Sequence, residues 1–350
     1  MKTGKMLIIV LIALFVSINC FAQTEENEKK AIEELINKYY VGAAYNNIDT
    51  LALKTGFHES FNFQWRHEHG YFVLPLRKWT KMLEHQKLFR PEWNNRTTAK
   101  ISVLDVVGNA SVARVDIYNN KLLELTDLLS LYKFKDGWKI TNRIFSRNQL
   151  PEDFQALQHA EWEKHVTEKL HPPEKVFPAI GVKKGMVIGE IGAGNGRYTF
   201  HLASGVGKNG KVYANDIDEN ALSTIRDRCK QNNVQNVETI LGGEIDPKFP
   251  EKSLDMAFMI WAFHGLDKPG PLFKNLKKSL KPNAPLVIID PIDSEVDLEV
   301  KIFTDRFDPS RPNLRERIEK AAEESGFELI EIKTFLPKDD IYILKIKSTR

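Results

Sequence analysis

The stretch V-I-G-E-I-G-A-G-N-G, Val187–Gly196, decides how the rest of the chain is read. An apolar run leads into it, Glu190 stands near its end, and Gly192, Gly194 and Gly196 alternate before an amphipathic stretch, Arg197–Ala203. This succession spells a buried strand, a tight turn and a helix start. Glycine belongs where a backbone turns sharply against a ligand, because no Cβ blocks close approach and positive φ is permitted. The turn is therefore expected to carry a small molecule. Dinucleotide sites space their glycines G-x-G-x-x-G, and the third position of that pattern is Arg197 here, which disfavours a pyrophosphate. Glu190 argues the same way, since a carboxylate repels phosphate and attracts a cationic ligand.

Working outward, strand-like and helix-like stretches alternate from Glu174 onward, as a doubly wound α/β sheet requires. Seven strands are expected: Met186–Ile191, Lys211–Asn215, Val237–Leu241, Leu254–Ile260, Pro285–Ile289, Phe327–Thr334 and Ile341–Ile346. Leu222, Ile225 and Cys229 define one helix face between them. Leu272, Phe273, Leu276 and Leu280 define a second, and Leu314, Ile318 and Ala321 a third that Gly326 stops. Cys229 falls on the first of these apolar faces and is read as inert packing. Lysines 274, 277, 278 and 281 read as the solvated side of the second helix.

Toward the N-terminus the pattern changes. Ile32, Leu35, Ile36, Tyr39, Tyr40 and Ala43 recur at helical spacing, predicting an amphipathic helix over Glu28–Asn46 with Asn27 as N-cap. Strands follow at Lys100–Val106 and Ser111–Tyr118 around Gly108-Asn109, and at Asp127–Phe134 and Lys139–Phe145 around Asp136-Gly137. A helix followed by an antiparallel meander is an α+β pattern. Phe61, Phe63, Trp65, His67 and His69 alternate, so a strand would put them on one face as a pocket wall. A metal on His67 and His69 lacks a third ligand nearby, and ordinary surface or core histidines are preferred. Asp116 and Asp127 could be polar pocket groups, yet strand carboxylates more often face water, and neither is taken as catalytic. The two halves are joined over Arg147–Pro173, where Pro151, Pro172 and Pro173 bracket a helix over Glu152–Leu170. Phe154, Leu157 and Trp162 are expected to dock that helix on a neighbour.

The extreme N-terminus is a secretory pattern: Lys2 and Lys5, eleven apolar residues over Met6–Val16, then C-F-A before Gln23. A membrane span needs roughly 17–25 apolar residues. Cleavage after Ala22 and export to the periplasm or medium is the favoured expectation, with no membrane association afterwards; a lipid on Cys20 or an uncleaved anchor are the alternatives. Cleavage leaves Cys229 alone, so no intramolecular disulfide is expected. Without Lys2 and Lys5 the chain holds 48 basic and 47 acidic residues, a balance that argues against nucleic acid as partner. The domains expected are a signal peptide over 1–22, an α+β domain over 23–147, a helical linker over 148–173 and an α/β domain over 174–350.

Two resemblances extend this reading. The front segment resembles the lumazine-binding-like family of the nuclear transport factor 2-like superfamily through Ile36 with Tyr40, Phe57-His58, V-L-D-V-V-G-N-A-S-V-A-R-V, T-D-L-L-S-L-Y-K and D-G-W-K-I-T-N-R-I-F. The resemblance implies a cone of curved sheet wrapped by helices, often a homodimer, with a pocket of varied use. Glu174–Lys347 looks like a class I S-adenosylmethionine-dependent methyltransferase. The matching stretches are G-V-K-K-G-M-V-I-G-E-I-G-A-G-N-G-R-Y-T, G-K-V-Y-A-N-D-I-D, L-G-G-E, F-P-E-K-S-L-D-M-A-F and L-K-P-N-A-P-L-V-I-I-D. The fold implied is an α+β cone followed by a seven-stranded, doubly wound, Rossmann-like α/β domain.

Carried over by resemblance, S-adenosylmethionine would be the cofactor. Glu190 and the turn of Gly192, Ala193, Gly194, Asn195 and Gly196 would hold its methionine and ribose part. Asp216 would accept from the ribose hydroxyls, Ile217 would cover the adenine, and Glu244 fills the acidic position near the adenine amino group. Asp218 competes with Asp216 but is better placed as an N-cap for a helix over Glu219–Lys230. Methyl transfer needs alignment and removal of water more than covalent help. For a hydroxyl acceptor His264 is the first choice of base, with Asp290 the second candidate, both at carboxyl ends of strands. A related branch reads D-T-Y-H-H where this chain reads W-A-F-H-G, which favours an apolar acceptor pocket. The function expected is methyl transfer to a small molecule; the alternative is an exported nucleoside or small-molecule binding protein without transfer, because S-adenosylmethionine is made inside cells.

Overall fold

The computed structural model describes residues 24–67, 70–89, 97–292 and 313–347. The secretory pattern at 1–22, His69 and the side chain of His67 lie outside the described part. The chain divides into two compact units between Trp162 and Glu163. Among the described residues no helix is long and apolar enough to cross a membrane.

In the front unit the first helix, α1 (residues 24–46), already runs at 24, so Asn27 lies inside it rather than at its N-cap position. Ile32, Ile36 and Tyr40 recur every fourth residue and are fully buried. From Asn37 to Asn46 the helix is a π-helix, whose wider turn brings residues five apart together: Tyr40 Oη lies 3.0 Å from Tyr45 Oη. The next elements are α2 (Thr50–Gly56), β1 (Phe57–His67), β2 (Gly70–Pro75), α3 (Leu76–Phe89), β3 (Thr97–Val107), β4 (Ala110–Asn119), β5 (Leu122–Phe134) and β6 (Gly137–Arg147). They form a six-stranded sheet in the order β2-β1-β6-β5-β4-β3. Its pairs are antiparallel apart from β1 and β6, which run parallel. Register shifts at Val103/Asp105, Ile117/Tyr118 and Ser130/Leu131 bend the sheet. Phe61 and Phe63 of β1, Leu129 and Leu131 of β5, Trp138 and Ile140 of β6 and Trp79 of α3 are buried. Asp116 and Asp127 do not face water as expected: they are 8% and 0% exposed. Asp116 accepts from Arg114 Nε and Thr126 Oγ1, and Asp127 from Tyr40 Oη and Arg143 Nε. Hydrogen-bonded partners offset the cost of burying each carboxylate.

The connecting helix, α4, spans Glu152–Leu170. Its expected docking residue Leu157 is 52% exposed, whereas Val166, Thr167 and Leu170 are buried.

The back unit continues with α5 (Pro173–Ile180), β7 (Val187–Ile191), α6 (Thr199–Val206), β8 (Lys211–Asp216), α7 (Glu219–Gln231), β9 (Val237–Leu241), β10 (Met256–Ile260), α8 (Pro269–Leu276), β11 (Leu286–Pro291), α9 (Leu314–Ser325), β12 (Phe327–Lys333) and β13 (Asp339–Ile346). Seven strands lie in the order β12-β13-β11-β10-β7-β8-β9, with β13 antiparallel to both neighbours. β10 is buried along its whole length, as a central strand covered on both faces must be. Ala257, Met259, Leu286 and Ile288 face Leu272, Phe273 and Ile318 of α8 and α9. Ile188, Phe258 and Val287 face Val176 of α5 and Leu202 of α6. Asn313 and Glu316 close a capping box on α9, and Gly326 ends it at φ +77. Because β8 and β10 flank β7 on opposite sides, the sheet reverses its winding there, and such a reversal opens a crevice at the strands' carboxyl ends.

Candidate functional site

Five chain segments meet at that crevice: the turns after β7, β8, β9 and β10, and the end of β11. Glu190 on β7 is 1% exposed, and Thr199 Oγ1 donates to its Oε2 at 2.5 Å. Burial pushes the Glu190 carboxyl up to about 7, with the Thr199 hydrogen bond and the Arg197 charge opposing the rise. The turn after it has φ of +72, +53 and +89 at Gly192, Gly194 and Gly196. A Cβ on Gly192 would stand 2.6 Å from Ala262 Cβ, so only glycine lets this turn pass the segment after β10. A Cβ on Gly194 would meet nothing within 4 Å, which leaves that face of the turn open to a ligand. Ala193 N–H donates to Asn215 O on β8 at 2.9 Å, and Asn195 O accepts from Arg228 Nη1.

Asp216 ties the second strand to the turn. Its Oδ2 accepts Gly194 N–H at 2.8 Å and its Oδ1 accepts Asp218 N–H at 3.0 Å. Asp218 caps α7 through Asn220 N–H at 2.9 Å, so the two carboxylates have separate tasks. Ile217 beside them is 63% exposed. Glu244 is exposed on the turn bridged by Gly243 and Asp246 after β9, with no hydrogen bond or ion pair among the described residues. Cys229 is half-buried rather than sealed, and burial pushes its thiol up.

His264 and Asp290 are brought together. His264 Nδ1 lies 2.6 Å from Asp290 Oδ1, and Phe263 N–H donates to Oδ2 at 2.9 Å. A carboxylate only accepts, so Nδ1 carries a proton toward Asp290, and whenever the ring is neutral Nε2 is its basic atom. Asp290 is fully buried, while the His264 side chain is 37% exposed.

A further cluster escaped the sequence reading. His171, fully buried, places Nε2 2.9 Å from Asp339 Oδ2, and Trp261 Nε1 donates to Asp339 Oδ1 at 2.5 Å. Arg197 Nη1 stands 3.3 Å from His171 Nδ1, and its guanidinium lies over the Trp261 ring at 4.7 Å. Guanidinium only donates, so Nδ1 accepts and Nε2 carries the proton toward Asp339. Burial holds the His171 pKa below its ordinary value, against the pull of Asp339. Trp261 sits at φ +54, a strained position for a bulky residue, held by its Asp339 bond. The one signal in sequence was Arg197 itself, standing where a dinucleotide turn has glycine.

Residues 27–146 match a family model described as "Putative lumazine-binding", and residues 188–283 match the model "Methyltransferase domain". The back unit therefore carries a methyltransferase domain, and the front unit a lumazine-binding-like one. Similar curated proteins include the demethylmenaquinone methyltransferases of Geobacillus stearothermophilus and Lactococcus lactis. The first is 26% identical over 38% of this chain and 53% of that protein, the second 27% identical over 33% and 46%. The chain thus spans about half the length of the curated relatives it matches. Among solved structures, a SAM-dependent methyltransferase from Aquifex aeolicus is 25% identical over 56% of this chain and 98% of that one, at a TM-score of 0.44.

Proposed function

We propose that this protein is an S-adenosylmethionine-dependent methyltransferase acting on a small molecule. One observation carries the reading beyond the domain match: the open face of Gly194 is pinned by its N–H to Asp216, and the exposed Ile217 stands next to it. The residues fit the cofactor. Glu190 supplies buried negative charge for a cationic ligand, Asp216 keeps lone pairs for a ribose diol, and Ile217 offers an apolar surface for adenine. Ala193, Asn195 and Gly196 complete the turn, and Glu244, exposed on the turn after β9, would serve the adenine amino group. When bound, the cofactor supplies a methyl group already activated by its sulfonium. The chain's task is then to orient the acceptor, exclude water and take a proton. His264 Nε2 is assigned the proton, and Asp290 fixes the ring's tautomer and direction.

The test begins with mass spectrometry of the native full chain, which is expected to carry S-adenosylmethionine or its demethylated product. His264→Ala is then expected to slow methyl transfer to a phenolic or quinol acceptor about 10²–10⁴-fold with cofactor affinity unchanged. Absence of both nucleosides, together with no binding on addition, contradicts the assignment. Export belongs to the same proposal: a mature N-terminus at Gln23 supports it, and an intact Met1 or lipidated Cys20 opposes it.

A further inference from the structure

Arg197 is the first residue past the glycine turn, half-buried, and held by residues far from it in sequence. Its Nη1 stands 3.3 Å from His171 Nδ1, and its guanidinium lies over the Trp261 ring at 4.7 Å. His171 is fixed in turn by Asp339 at 2.9 Å and by the edge of the Trp261 ring, with the ring centroids 4.9 Å apart. The cation is thus firmly placed, yet each carboxylate near it is engaged elsewhere. Asp339 has both oxygens occupied, Oδ2 by His171 and Oδ1 by Trp261. Glu190 accepts from Thr199, and Glu163 pairs with Arg228 at 3.4 Å. Among the described residues Arg197 makes one side-chain hydrogen bond, to an imidazole nitrogen, and no ion pair. A guanidinium fork has five N–H donors, so most of its capacity is unspent.

A half-buried cation without a counter-charge destabilises the fold unless something else completes it. Burial weighs first against the Arg197 charge, and Glu190 is foremost among the groups that favour it; in return Arg197 opposes the rise of the Glu190 carboxyl. The two opposite charges therefore sense each other without forming an ion pair. Their counterpart is a group that carries both signs, and the methionine end of S-adenosylmethionine is one. Its α-ammonium suits Glu190, and its planar α-carboxylate suits a guanidinium fork, which can give it two parallel N–H bonds. A ligand that was only a cation would leave Arg197 unmatched, and one that was only an anion would meet Glu190. We propose, resting on the methyltransferase reading above, that Arg197 is a specificity-determining residue: held by His171 and the Trp261 face, its guanidinium binds the α-carboxylate of the cofactor, so that the site selects a zwitterionic amino-acid end and not the sulfonium alone.

Calorimetry on the full chain with three ligands tests this: S-adenosylmethionine; its decarboxylated analogue, which keeps the sulfonium and the amine; and 5′-methylthioadenosine, which lacks the amino-acid end. The native chain is expected to bind S-adenosylmethionine about tenfold or more tighter than the decarboxylated analogue, the factor that one charge-assisted hydrogen bond supplies. Arg197→Gln is expected to erase that preference while leaving the affinities for the decarboxylated analogue and for 5′-methylthioadenosine unchanged. A preference that survives in a folded R197Q, or a loss of affinity shared equally by all three ligands, which is the mark of a structural role, overturns the proposal. If R197Q does not fold, Arg197→Lys decides: it keeps the charge without the planar fork, so the preference should shrink, and a full native preference in R197K overturns the proposal. A native chain that binds S-adenosylmethionine without preferring it to the decarboxylated analogue overturns the role of Arg197 alone. One that binds neither S-adenosylmethionine nor 5′-methylthioadenosine overturns the methyltransferase reading and this role with it.

Discussion

Asp127 in the front unit and Glu190 in the back unit are both strand carboxylates removed from water, and they are treated in opposite ways. Asp127 receives the Arg143 guanidinium and the Tyr40 phenol, so the chain itself supplies its counter-charge. Glu190 receives one hydroxyl, from Thr199, and its pKa is pushed up to about 7. The first carboxylate is finished by folding. The second is held in an environment that a cationic ligand completes, and the contrast separates a structural ion pair from a binding group.

The largest expected effect breaks the first pair. Asp127→Ala leaves Arg143 buried without its counter-charge, which should cost the front unit about 3–5 kcal/mol, measured by urea denaturation with tryptophan fluorescence. If the two units fold separately, as the division between Trp162 and Glu163 suggests, cofactor binding by the back unit should survive this substitution. A loss below about 1 kcal/mol would make Asp127 no different from a surface partner and remove the contrast.

Glu190→Gln should act with the opposite sign. The raised folded pKa means that between about 4.5 and 7 the native state holds a proton that the unfolded state has lost, so stability falls as pH rises through that window and levels off above 7. Glutamine keeps an acceptor for Thr199 without the charge. The variant should therefore be more stable at pH 8, by about 3 kcal/mol, with the gain vanishing near pH 4.5, while its affinity for the sulfonium cofactor falls. Denaturation curves at the two pH values check this, and a gain at low pH instead would contradict the account.

What the sequence disclosed follows the range of the interactions involved. The seven strands of the back unit, the ends of α4 and the caps at Asp218 and Gly326 were legible, because apolar runs, turn residues and capping side chains act within a few positions of each other. The pairing of Tyr40 with Asp127 joins residues 87 positions apart, and that of His171 with Asp339 joins residues 168 apart. No local pattern announces such contacts, which is why Asp127 read as a water-facing residue. The same holds for α3, which follows Pro75 with no capping signal, and for the π-helix of α1, whose Tyr45 is out of phase with the α-helical stripe. The Gly192–Gly196 turn was legible because positive φ and close approach are demands that only glycine meets. The meeting of His264 with Asp290 could be placed only as two strand ends in one crevice.

A smaller effect probes the open side of the turn. Gly194→Ala meets no neighbouring atom, so its stability cost should be limited to the strain of a left-handed backbone, about 1–2 kcal/mol. Its methyl group projects into the space assigned to the cofactor, so affinity should fall about tenfold or more, the factor that 1.4 kcal/mol represents. Thermal denaturation and equilibrium binding, measured on one sample, separate the two. A variant with unchanged affinity would mean that the open face is not the ligand's face.

Calorimetric titration of S-adenosylmethionine into the native protein and into Asp216→Ala tests the central claim most directly. The native protein is predicted to bind, and the variant to lose about 1.5–3 kcal/mol, the worth of a hydrogen bond to a charged group. Equal affinity in the two proteins, or a folded native protein that does not bind, would contradict the assignment of this crevice.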